Sequence, residues 1–187
     1  MTDQTPAAAG KVSRTHRLTL MGLMTAAVCV VSPFAIPIPV SPVPLTLATL
    51  IIYISVYILG MNMAAVCCIT YLVLGAAGLP IFSSFSGGLG KLAGPTGGYL
   101  VGFIFLALIQ GFLMKSRPGS SLAAVAGMIL GTAVCYIFGT VWLGVQSGLP
   151  FSAALSAGVI PYLPGDTVKI IAAAVLGPKL QAAVKRV

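Results

Sequence analysis

Leu163-Pro164-Gly165-Asp166-Thr167-Val168-Lys169-Ile170-Ile171-Ala172-Ala173-Ala174-Val175-Leu176 sets an acid and a base at the head of an apolar run. Three residues apart, the two side chains lie about 60° apart around a helix and so share a face. A carboxylate beside such sequence is costly to bury. Within a membrane it faces a bundle interior or a wet cavity and serves a substrate or ion path. Asp166 is the only acid besides Asp3 in 187 residues. One reading makes the pair a structural strut for the last helix. The other makes it a grip on a polar ligand, and the Pro-Gly hinge before it favours the grip.

The composition around this stretch agrees with a membrane setting. Hydrophobic residues make up 58% of the chain and charged ones 6%, against about 25% charged in soluble domains. Mean hydropathy is +1.09. Apolar segments recur at 18–35, 45–60, 62–78, 96–114, 121–146 and 163–182. At about 20 residues per crossing, this predicts an all-α integral membrane domain over 18–187, with six transmembrane helices in one bundle. Residues 1–17 read as a disordered tail. The segment 151–161 reads as a short interfacial helix broken by Pro161 and Pro164. The run from Leu18 has no small-residue cleavage site leading into a soluble chain, so it reads as a retained helix.

Charge orients the bundle. Lys11, Arg14 and Arg17 precede the first helix, Lys115 and Arg117 lie between the fourth and fifth, and Lys179, Lys185 and Arg186 close the chain. With six spans these clusters share one side, and only Lys91 lies in a loop opposite. The positive-inside rule then makes both termini cytoplasmic. Such scattered cations speak against a nucleic-acid surface. Cys29, Cys67, Cys68 and Cys135 lie in apolar runs without metal-ligand spacing and read as small buried hydrophobes.

The connections opposite the basic clusters are the elaborate ones. Pro37-Ile38-Pro39-Val40-Ser41-Pro42-Val43-Pro44 is stiffened by alternating prolines; it reads as a rigid spacer or as a lid, with Thr46 reaching inward. The loop from Gly78 to Tyr99 holds Ser83, Ser84 and Ser86, the apolar Phe82 and Phe85, and glycines including Gly88 that let backbone approach a ligand. The alternative is a re-entrant turn with Thr96 capping the next helix. A phosphate-binding loop is excluded, because Leu92 follows Gly90-Lys91 and Phe85 stands where that pattern needs Gly. Gly22 with Ala26, and Gly127 with Gly131, form small-residue steps that let helices approach closely. The second step suits internal packing, and the first suits docking to another membrane subunit. Trp142 reads as an anchor at the outer interface.

Gly94-Pro95-Thr96-Gly97-Gly98-Tyr99-Leu100, preceded by Gly87-Gly88-Leu89-Gly90 and followed later by Pro164-Gly165-Asp166-x-x-Lys169, resembles the BioY family. These are biotin-specific substrate-capture (S) components of energy-coupling factor (ECF) transporters. The resemblance spans essentially the whole chain and implies the S-component fold with an outward pocket for biotin. It implies as partners a transmembrane coupling subunit and a pair of cytoplasmic ATPases, in the cytoplasmic membrane. No cofactor is implied, since biotin is cargo. Carried onto this chain, the substrate-binding residues are Asp166, Lys169, Ser84, Phe85, Gly88, Tyr99 and Thr46, with Gly22 and Ala26 for docking. Near Ser84 the resemblance leads one to expect an amide, and this chain has a hydroxyl.

Two other classes compete. A self-sufficient proton-coupled carrier would protonate Asp166 during its cycle. An enzyme is disfavoured: the sole histidine is His16, in the tail, so a Ser–His arrangement is unavailable.

Overall fold

The computed structural model describes residues 14–39, 41–184 and 186. Six long helices form the bundle: α1 (Arg14–Val31), α2 (Ala48–Leu59), α3 (Met61–Ala76), α5 (Gly97–Ser116), α6 (Ser121–Ser147) and α8 (Leu163–Val184). Two short helices, α4 (Leu89–Ala93) and α7 (Phe151–Gly158), lie in the connections. The first connection contains a two-stranded ribbon in which β1 (Ala35–Ile36) runs antiparallel to β2 (Leu45–Thr46).

Each apolar segment thus becomes one long helix, with α1 displaced. It begins at Arg14, so residues 14–17, expected in the tail, form its first turn, while 1–13 lie outside the described residues. It stops at Val31 because Pro33 disfavours helical backbone at Ser32. Three stretches have the length and hydropathy to cross a membrane: Gly97–Ser116, Ser121–Ser147 and Phe151–Val184, the last running through α7, a 3₁₀ turn at Ile160–Tyr162 and α8. The apolar α2 and α3 are shorter.

The patterning is that of a protein dissolved in lipid. Large apolar side chains face outward, among them Leu122, Ile137 and Val145 on α6, Phe112 on α5 and Val168 and Ile171 on α8. The interior holds aliphatic and aromatic side chains together with Gln110, Thr132, Thr140, Asp166 and Lys169. α5 and α6 approach most closely through glycine. A Cβ on Gly127 would lie 2.8 Å from Gln110 Cα, and one on Gly131 would lie 3.0 Å from the Leu106 carbonyl oxygen. This is the internal use of the small-residue step on α6.

The twelve-residue α2 is only about 18 Å long at 1.5 Å per residue, well short of the ~30 Å hydrocarbon core. The chain before it therefore runs as non-helical backbone into the top of the bundle. Such backbone is tolerated at membrane depth where it is buried in protein or lines a cavity. The ribbon pairing Ala35 with Thr46 and Ile36 with Leu45 satisfies part of it. This strap, residues 35–39 and 41–46, roofs the end of the bundle where α8 begins.

One local expectation changes and one gains a packing role. Thr96 precedes α5, but its side chain makes no capping hydrogen bond, and its hydroxyl is buried without a partner. Trp142, read as an interface anchor, is half-buried and takes part in helix packing. Its indole N–H donates to the Gly94 carbonyl at 3.0 Å, and its Cβ occupies the space that a side chain at Gly98 would need. The indole therefore ties α6 to the turn before α5.

Candidate functional site

Pro164 falls in the first turn of α8, where a missing N–H is harmless. That start puts Asp166 in the first turn as well, where the helix dipole favours a carboxylate. Lys169, one turn on, reaches back with Nζ 2.8 Å from Asp166 Oδ1, and both side chains are buried. The second carboxylate oxygen accepts a hydrogen bond from the Tyr136 hydroxyl on α6. Each carboxylate oxygen thus has a donor. The carboxylate retains lone pairs and the ammonium retains N–H donors for further bonds. Taking both ions out of water costs several kcal/mol per ion before their attraction repays it, so the pair is sustained only by close contacts such as these.

The pair opens onto a cavity of about 70 Å³. Its roof is the strap, contributed by Val43, Pro44, Leu45 and Thr46. Tyr162, just before α8, holds the strap down: its hydroxyl donates to the Val43 carbonyl and lies 2.7 Å from Ser41 Oγ. The walls include Tyr99, Phe103 and Leu106 from α5 and Thr132, Cys135 and Tyr136 from α6. Tyr99 is fixed by its hydroxyl, which donates to the Gly158 carbonyl at 3.1 Å; a Cβ at Gly158 would collide with that hydroxyl. Below, Thr132 donates to the Met128 carbonyl at 2.7 Å, so its oxygen must accept from the Tyr53 hydroxyl at 2.5 Å. Thr49 also lines the cavity, and its buried hydroxyl has no partner. The chamber offers one acid, one amine and hydroxyls among apolar walls.

The structure brings Asp166, Lys169, Tyr99 and Thr46 together around this chamber. Ser84, Phe85 and Gly88 are not among its lining residues. Ser84 and Phe85 form a tight turn with positive φ, 59° and 54°, which is unfavourable for side chains other than glycine. The turn is held by the Ser84 N–H donating to the Pro33 carbonyl at 3.0 Å and by edge-on contact of the Phe85 ring with Phe34. It fastens the α3–α4 loop to the end of α1 and leaves Ser84 and Phe85 exposed. Strain of this kind, about 1–3 kcal/mol per residue, concentrates at clamps and switch regions. Gly22 and Ala26 lie on the outward face of α1, and a Cβ at Gly22 would meet nothing within 4 Å.

Sequence reasoning missed Tyr136, Tyr162, Thr49 and Thr132. The available signal was tyrosine inside or beside apolar runs. A phenol in a lipid-facing span needs a hydrogen-bond partner, and Tyr136, midway along α6, finds it in Asp166, the only acid among the described residues.

An apolar-surfaced helical bundle with an acid–amine pair sealed under a strap is a multi-pass membrane protein with a polar chamber at one end. The chain belongs to the BioY family, whose family model matches residues 3–186. It is 34% identical over 166 residues to "Biotin transporter BioY" of Thermotoga maritima, covering 89% of this chain and 96% of that protein. It is 36% identical over 144 residues to "Biotin transporter BioY" of Rhizobium etli, covering 73% and 76%. Among solved structures, the crystal structure at 2.1 Å of the S-component for biotin from an ECF-type ABC transporter superposes with a TM-score of 0.85. The match is 26% identical and covers 94% of this chain and 95% of that one. The helical fold implied by the resemblance is the fold of that S-component.

Proposed function

We propose that the chain captures biotin in the chamber beneath the strap and carries it across the cytoplasmic membrane as the S component of an ECF transporter. The observation that carries this reading is the buried Asp166–Lys169 pair lining a roofed cavity, in a chain whose relatives are named biotin transporters. Biotin's ureido ring presents two N–H donors and a carbonyl acceptor. Asp166 accepts from the N–H groups, Lys169 donates to the carbonyl or orients Asp166, and Tyr99 and Phe103 cover the apolar ring system. Ser84 and Phe85 contribute by fixing the α3–α4 loop against the end of α1, and Gly88 by fixing it against α3. At about 70 Å³ the chamber is well below the ~300 Å³ of ordinary ligand sites, so biotin enters with the strap raised.

All six long helices span the membrane, with both termini and the basic clusters on the cytoplasmic side, which puts the strap and chamber outside. Energy comes from partners: a transmembrane coupling subunit seated on the Gly22–Ala26 face of α1 and a pair of cytoplasmic ATPases. The protein is a carrier rather than an enzyme. The test is titration of the detergent-purified protein with biotin beside Asp166→Asn. The variant should bind about a hundredfold or more weakly, from the ~3–5 kcal/mol lost when one member of a buried pair is removed. Unchanged affinity would remove Asp166 from the site.

A further inference from the structure

A second hollow lies away from the chamber described above. At the opposite end of the bundle, the α2–α3 turn, the α5–α6 loop and the last turns of α8 enclose a cleft of about 550 Å³. Its walls include Tyr57, Met61, Met114 and Ala124, and its lip carries Lys115 and Arg117. A volume of this size lies within the ~300–1,000 Å³ of ligand sites.

Among the described residues the two cations have no counter-ion. Among the described residues the only carboxylate is Asp166, which is buried at the other end and already engaged by Lys169 and Tyr136. Walls that are mainly apolar, with Ser120, Ser121 and Gln181 among them, beneath a cationic lip call for an occupant that is anionic at one end and greasy at the other. A soluble anion would leave the walls bare; a neutral lipid would leave the cations unpaired. Basic pockets between helices at the membrane surface suit lipid headgroups. We propose that this cleft holds the headgroup and upper acyl region of an anionic phospholipid, with the phosphate on Lys115 and Arg117 and the chains against Met61 and Met114. The inference rests on the reading that the bundle spans the bilayer. It is independent of what the strap-side chamber binds.

The experiment uses the full chain in detergent. Its melting midpoint is followed against phosphatidylglycerol, against phosphatidylcholine with the same acyl chains, and against inorganic phosphate. The variants are Lys115→Gln with Arg117→Gln, and, as a control, Lys179→Gln, an exposed α8 residue outside the cleft. Phosphatidylglycerol should raise the midpoint of the native chain and of the control, and the double variant should need about 25-fold more of it, from the usual gain per surface cation. Biotin binding should be unchanged in the double variant, so loss of lipid response and failure of the biotin assignment are read separately. Equal response to the two lipids, an undiminished response in the double variant, or an equal loss in the control would overturn the proposal. Stabilisation by phosphate alone would reassign the cleft to a soluble anion and overturn it as well.

Discussion

The Tyr136 hydroxyl donates to Asp166 Oδ2 across the α6–α8 interface, 30 residues apart in sequence. Lys169 holds the other oxygen at 2.8 Å. Asp166 is therefore positioned from two helices, and a ligand that engages it meets a carboxylate whose orientation is set in advance.

Tyr136→Phe keeps the ring and removes that donor. A hydrogen bond to a charged group is worth about 1.5–3 kcal/mol, so the variant should unfold at lower temperature and bind biotin more weakly. Melting in detergent with and without biotin checks both. A native melting curve would mean that the phenol contributes nothing to holding Asp166.

The acid–amine pair separates strut from grip by a double substitution. Asp166→Asn or Lys169→Met alone strands a buried partner and should cost about 3–5 kcal/mol. The double variant should regain much of that stability, because no unpaired charge remains, yet should still fail to bind biotin. Recovery of binding along with stability would make the pair structural only.

The strap is latched by Tyr162, whose hydroxyl contacts Ser41 and the Val43 carbonyl. Tyr162→Phe leaves the aromatic wall and frees the roof. At about 1 kcal/mol for a neutral hydrogen bond, bound biotin should dissociate roughly fivefold faster. Release of labelled biotin into excess unlabelled biotin measures this. An unchanged rate would show that another contact keeps the roof shut.

On α1, Gly22→Leu and Ala26→Leu place bulk on an outward face that has free space in the isolated chain. Biotin affinity should stay native while uptake in cells falls. Uptake that survives both changes would mean that the coupling subunit docks elsewhere.

The interior glycines behave oppositely. Gly127→Leu drives a side chain into the α5 backbone near Gln110 and should destabilise the bundle by about 1–3 kcal/mol, the usual range for overpacking. A melt of the purified variant tests it, and native stability would mean that α5 and α6 can separate freely.

The helices, the membrane setting and the acid–amine pair were legible in the sequence. All three are local: run length and hydropathy set a helix in lipid, and a spacing of three residues puts Asp166 and Lys169 on one face whatever surrounds them. The α1 boundary was misjudged because the tail's polar residues mark the end of an apolar run, not the end of a helix.

Tertiary structure decided the rest. Which hydroxyls attend Asp166, why Tyr162 grips the strap, why the Trp142 indole meets Gly94 and why the Ser84 turn is tied to Pro33 all depend on which faces of distant segments meet. In an apolar chain almost any face can be buried, so hydropathy does not discriminate among these pairings. Close approach does, through glycines such as Gly98, Gly127 and Gly158, whose missing side chains leave room for a particular neighbour and for no other.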